Sequence, residues 1–135
     1  MFAYPHGTMA NSIEVGLRGE ARMIVGDSDT AISHGTGIVA VFATPCVIEL
    51  CEQAAIAAVG DRLPPGITTV GMRVQVDHLQ PTAVGHEVTA EAVLKHIEGR
   101  RLTFAVSVDD NRGLVAAGKV TRVMVDVERF MDKTV

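Results

Sequence analysis

The chain has 135 residues, 47% of them hydrophobic and 21% charged, with a formal net charge of −4, the profile of a single globular domain over residues 1–135 and not of a disordered or fibrous chain. Basic residues stand singly or as the pair Arg100-Arg101, so no nucleic-acid stripe is expected. No apolar run reaches the roughly 18 residues of a membrane span, and the opening MFAYPHGTMANS lacks the basic start and apolar core of a signal peptide, so a cytoplasmic protein without membrane partners is the expectation.

Ile13, Val15, Leu17, Ala21, Met23 and Val25 alternate with Glu14, Arg18, Glu20 and Arg22, which predicts a half-buried strand. A loop follows, GDSDTAISHGTGIVAVFA, whose centre holds Ser33, His34, Gly35, Thr36 and Gly37; its glycines suit a segment that flexes or approaches a ligand. His6, His34, His86 and His96 read as loop or surface residues.

A helix is predicted from Thr44 to about Val59, with Thr44 as N-cap, Pro45 in the first helical position and Gly60 as C-cap before Pro64-Pro65-Gly66. Ala54, Ala55, Ala57 and Ala58 crowd one side, which lets a sheet approach closely. Cys46 and Cys51 are about 140° apart around such a helix. They cannot form a disulfide there, match no zinc spacing, and read as two small buried hydrophobes.

Strands fill the rest. Val70, Met72, Val74 and Val76 occupy one face of the first, and Pro81 and Gly85 mark a connection. Val88, Ala90, Ala92 and Leu94 form the next face, then EGR makes a tight turn into Leu102, Phe104, Val106 and Val108. Asp109 to Gly113 is a hairpin loop. The last strand, from about Leu114 to Val127, changes phase near Gly118, because Val123, Val125 and Val127 take the odd positions; a bulge or bend is expected there. One helix followed by strands joined mainly by hairpins is an α+β pattern. Wrapping that sheet around the alanine-rich helix gives the hotdog architecture.

Glu52 sits among Leu50, Cys51, Ala54 and Ala55, where a carboxylate is costly unless paired. His78 continues the series Val70, Met72, Val74 and Val76, so it points to the same apolar face at the strand's far end. If that face wraps the helix, the two side chains project into one region, and a carboxylate beside an imidazole lowers the burial cost of both. Thr44 adds a hydroxyl about 12 Å along the helix from Glu52, a gap that a substrate or a bent helix start could bridge. Each residue also has a plainer reading: Thr44 as a cap, Glu52 facing solvent if the helix phase shifts by one, His78 as a satisfied strand-end histidine.

VFATPCVIELCEQAA and VQVDHLQPTAVGHEVTAEAVLKHIEGRRLTFAVSV resemble the hotdog thioesterases of the fluoroacetyl-CoA thioesterase type. The resemblance runs from about Val39 to Lys133 and rests on FAT followed eight residues later by glutamate, a histidine in the next strand, and the EGRRL hairpin. It implies a catalytic Thr44, Glu52 and His78, with Gly71 near the acyl group, although by parity Gly71 faces away from His78. The family's lid ahead of the helix carries aromatic residues. Here that segment reads His34-Gly35-Thr36-Gly37-Ile38-Val39, with no aromatic before Phe42, which argues for a different acyl group.

The reaction implied is hydrolysis of a small acyl-CoA thioester. The helix N-terminus at Thr44-Pro45-Cys46 offers free N–H groups and a positive dipole end as a substrate oxyanion site, and Glu52 is either general base or nucleophile. No metal or separate organic cofactor is implied, CoA being part of the substrate. Members of this fold commonly dimerise edge to edge, so a homodimer or a dimer of dimers is expected, with His78 and Glu52 free to come from different chains. The alternatives are a non-catalytic acyl-CoA-binding module, a structural interaction domain, and a dehydratase, which would need an aspartate–histidine pair that FATPC lacks.

Overall fold

The computed structural model describes residues 12–135; the stretch read as lacking a signal peptide, with His6, lies almost wholly outside them. In chain order come β1 (Arg18–Ile24), a 3-10 turn (Asp27–Asp29), α1 (Ala31–His34), α2 (Thr44–Val59), a second 3-10 turn (Gly60–Arg62), β2 (Ile67–His78), β3 (Glu87–Glu98), β4 (Arg101–Asp110), β5 (Gly113–Asp126) and α3 (Val127–Asp132). The five strands form one antiparallel sheet in the order β1-β3-β4-β5-β2. Curled around α2, this is the α+β hotdog arrangement expected from the sequence. None of the helices is long and apolar enough to cross a membrane among the described residues.

The core lies between α2 and the concave face of the sheet. Val47, Leu50, Cys51, Ala54, Ala55 and Ala58 of α2 are buried against Val88, Ala90, Ala92 and Leu94 of β3 and Leu102, Phe104, Val106 and Val108 of β4. The alanines serve close approach. A Cβ added to Gly19 of β1 would stand 2.2 Å from both the Ala54 carbonyl oxygen and the Ala58 nitrogen, so strand and helix backbones meet where side chains are small or absent.

Several expectations are corrected. β1 begins only at Arg18, and Val15, before it, is 59% exposed. The loop ahead of α2 holds a 3-10 turn and a one-turn helix. The connection marked by Pro81 and Gly85 crosses the sheet, since β2 pairs with β5 at one edge and β3 with β1 near the other. Hairpin loops usually have two to five residues, whereas residues 79–86 make a longer link. That link bonds instead to neighbours, with Phe42 N–H donating to the Thr82 carbonyl at 2.8 Å and Leu79 N–H to the Val115 carbonyl at 2.7 Å.

Both phase readings of the site strands also change. In β2 the register shifts between Gly71 and Arg73. Met72 is left 43% exposed, while Val74 and Val76 pack on the core. A bulge consumes one residue and reverses which side chains face inward, so Thr69 and Gly71 face in before it, and Val74, Val76 and His78 after it. In β5 Ala116, Val120, Arg122 and Met124 face inward at even positions, while Val115 is also fully buried. The register with β4 shifts between Leu114 and Ala116, so the irregularity lies before Gly118, and Arg122 is a charged residue on the inner face. Gly118 marks a close approach instead, since a Cβ there would lie 2.0 Å from the Gln75 carbonyl oxygen of β2.

Candidate active site

Thr44, Ile48 and Glu52 recur every four residues along α2 and so share one stripe of the helix. The stripe faces β2, the edge strand, and the two ends of that strand meet different parts of it.

At the upper end, Thr44 Oγ1 lies 2.8 Å from His78 Nδ1. The N-cap is Ala43, not Thr44. Thr44 is the first helical residue and Pro45 the second, so the hydroxyl is not spent on capping and reaches across to the last residue of β2. The other ring nitrogen, His78 Nε2, is buried and has no hydrogen-bond partner among the described residues. Burial holds the imidazole pKa below its ordinary value, with the nearby Gln80 backbone opposing the shift. Beside this dyad opens a cavity of about 780 Å³, walled by the segment from Thr36 to Phe42, by Pro45 and Ile48 of α2, and by Leu79 to Pro81.

At the lower end, Glu52 is half-buried and its Oε2 accepts a hydrogen bond of 2.5 Å from Arg122 Nη1. Arg122 is itself buried on the inner face of β5. Its Nε donates to Thr69 Oγ1 at 3.0 Å and its Nη2 to the Thr69 carbonyl at 2.9 Å. Burial pulls the guanidinium pKa down, and the adjacent Glu52 carboxylate opposes that shift. Gly71 pairs with Arg122 across the β2–β5 ladder. A Cβ on Gly71 would stand 2.6 Å from Glu52 Oε2, so the absence of a side chain there makes room for the carboxylate.

The structure thus brings Thr44 to His78 and Gly71 to Glu52, but it leaves the two pairs apart: Glu52 and His78 share no hydrogen bond within one chain. Arg122 was missed by sequence reasoning. An arginine at an even position of β5, in step with Ala116 and Val120, was the available signal, and the supposed phase change at Gly118 concealed it. The oxyanion site is also narrower than expected. Pro45 has no N–H, and the Cys46 N–H donates to the Ala43 carbonyl at 3.0 Å, which leaves the Thr44 N–H.

Both cysteines are free and buried. Burial pushes the Cys46 thiol up and the Cys51 thiol up to about 11, so neither is an activated nucleophile. Cys46 Sγ lies 3.2 Å from His34 Nε2, a contact that ties the segment ahead of α2 to the helix start. No group of three or more His, Cys, Asp or Glu side chains is placed to hold a metal among the described residues.

The family model for the fluoroacetyl-CoA-specific thioesterase matches residues 25–128. The fluoroacetyl-CoA thioesterase of Streptantibioticus cattleyicolor is 36% identical over 93 residues, which cover 69% of this chain and 67% of that protein. A solved structure of the fluoroacetyl-CoA thioesterase superposes with a TM-score of 0.84 at 30% identity, covering 90% of this chain and 95% of the other. A hot-dog-like protein from Thermanaerovibrio acidaminovorans gives a TM-score of 0.84 at 27% identity over 93% of both chains. By the match over residues 25–128 and the identity to the Streptantibioticus cattleyicolor enzyme, the chain belongs to the fluoroacetyl-CoA-specific thioesterase family and is a hotdog-fold thioesterase.

Proposed function

We propose that the chain hydrolyses the thioester bond of a small acyl-CoA at a site assembled from two copies, Thr44 and His78 coming from one and Glu52 from the other. The observation that carries this reading is the unpaired, buried His78 Nε2 at one end of an edge strand whose other end holds a positioned carboxylate. An exposed strand edge presents unpaired N–H and C=O groups that favour a second strand. Antiparallel pairing of two β2 edges about an axis between Val74 and Gln75 sets Gly71 of one copy opposite His78 of the partner subunit, because an isologous contact relates residues symmetrically about that axis. Glu52, which packs on Gly71, is then carried toward the open imidazole nitrogen. A dimer completes two such sites, and a dimer of dimers repeats the unit.

In the proposed reaction the thioester carbonyl lies at the start of α2. The Thr44 N–H and the positive end of the helix stabilise the developing oxyanion. Glu52 of the partner subunit takes a proton from water, whose oxygen bonds to the carbonyl carbon. The tetrahedral intermediate then collapses as its C–S bond breaks, releasing the carboxylic acid and CoA thiolate, which takes up a proton. Neutral His78, held by Thr44, orients the water or passes that proton. Direct attack by Glu52 through a mixed anhydride gives the same products. Neither route requires a metal or an organic cofactor, since CoA enters and leaves with the substrate. Free buried cysteines suit a reducing compartment, in keeping with a cytoplasmic location.

The test is thiol release from acetyl-CoA and butanoyl-CoA by the wild type and by His78→Ala. The reading predicts turnover by the wild type and a loss of at least about a hundredfold in the variant. A wild type that binds CoA thioesters but releases no thiol would make the chain a binding module and overturn the hydrolase reading.

A further inference from the structure

We infer that the acyl group this thioesterase takes is an uncharged aliphatic chain longer than two carbons, seated in the cavity beside the Thr44–His78 dyad; the inference rests on the hydrolase reading of that dyad. The cavity measures about 780 Å³, and its walls include Val39, Val41, Phe42, Ile48, Leu79 and Pro81. A two-carbon acyl group fills about 90 Å³, on the scale of three water molecules, and would leave most of that apolar surface wet. Among the described residues of one chain, no Lys, Arg, Asp or Glu lines the cavity. A dicarboxylic acyl group such as succinyl would bring its second carboxylate into an apolar space with no cation to pair it, which is strongly unfavourable.

The pantetheine arm of CoA fits this space less well than an aliphatic chain. That arm carries two amides that need hydrogen-bond partners when buried. Apart from the dyad itself, the side chains lining the cavity among the described residues of one chain offer only Thr36 and Gln80 for that purpose. Thr44 and His78, where the carbonyl reacts, share the cavity with the apolar side chains of Val41, Ile48 and Leu79. A chain entering acyl-end first would bury methylenes against Ile48, Val41 and Leu79, with the thioester left at the dyad.

The experiment measures kcat/KM for acetyl-, fluoroacetyl-, butanoyl-, hexanoyl- and succinyl-CoA, together with binding of the matching non-hydrolysable thioether analogues. Each buried methylene is worth about fourfold, so butanoyl-CoA should exceed acetyl-CoA by about tenfold or more, with succinyl-CoA well below both. Val39, 54% exposed, tolerates a larger side chain without loss of core packing. Val39→Phe should therefore lower the ratio of kcat/KM for hexanoyl-CoA to that for acetyl-CoA by about tenfold. Highest kcat/KM on acetyl-, fluoroacetyl- or succinyl-CoA would overturn the inference and leave the hydrolase reading standing. No turnover, with hexyl thioether binding tighter than its ethyl or carboxypropyl counterparts, would overturn the hydrolase reading and support the cavity's preference. Equal binding of all the analogues would overturn the preference itself.

Discussion

The two ends of β2 carry the two halves of the site, and they differ in how fully one chain satisfies them. At the Gly71 end, Arg122 spends Nε, Nη1 and Nη2 on Thr69 and Glu52. At the His78 end, Thr44 takes Nδ1, yet Nε2 is buried and unbonded among the described residues. A buried polar atom without a partner costs on the order of 1–3 kcal/mol. One end is finished within the chain and fixes a carboxylate in place. The other is left open, and the proposed function fills it with the substrate and a second subunit.

The largest effect expected from breaking this contrast is at Glu52. Glu52→Gln keeps an oxygen for Arg122 to donate to but removes the charge that offsets the buried guanidinium, so the melting temperature should fall measurably, while kcat falls at least about a hundredfold with loss of the base. Steady-state thiol release beside a thermal melt checks both, and an unimpaired kcat would remove Glu52 from the mechanism. Arg122→Lys keeps the charge but loses the planar fork that serves Thr69 and Glu52 together. It should lower kcat about thirtyfold with KM little changed, and reduce stability by about 1–3 kcal/mol in denaturant unfolding. Loss of stability with full kcat would make Arg122 a purely structural residue.

Gly71→Ala is the finer probe, because its Cβ would press on Glu52 Oε2 from 2.6 Å. The carboxylate must shift by several tenths of an ångström, and a fall in kcat of about tenfold is expected from misplacing a positioned base. The smallest effect is in the pH profile. Burial holds the His78 pKa below its ordinary 6.5, so kcat/KM should rise with pH through an inflection below 6.5 and then level off. Folding stability contributed by this group should rise in the same window, since the unfolded chain binds the extra proton there. An inflection above 6.5 would mean that the imidazole is not desolvated in the working enzyme.

Much of the fold is legible in the sequence because local signals agree: the Pro45 start and Gly60 end of α2, the Glu98–Arg101 and Asp110–Gly113 turns, and the period-two faces of β3 and β4. Thr44 and His78 follow from the same signals. What the sequence hides is non-local. The bulge after Gly71 depends on how β2 meets β5, so parity counted from Val70 turned Gly71 away from Glu52. Arg122 looked like an outward residue because apolar Val123 and Val125 follow it at odd positions, and an ion pair 70 residues apart in sequence leaves no local trace. The capping role assigned to Thr44 passed to Ala43 because the chain is already extended there and pinned by its Ala43 N–H to the Asp29 carbonyl at 2.8 Å.

The central claim, a site shared between two chains, is tested most directly by complementation. Glu52→Gln and His78→Ala chains carrying different tags are co-expressed, and the mixed dimer is isolated through both tags. In a shared site one of the two centres combines both defects and the other combines the intact Glu52 and His78. The mixed dimer should then recover about half the wild-type turnover, by the symmetry of the isologous contact. Turnover no higher than that of either single variant would contradict the account and return Glu52 and His78 to one chain.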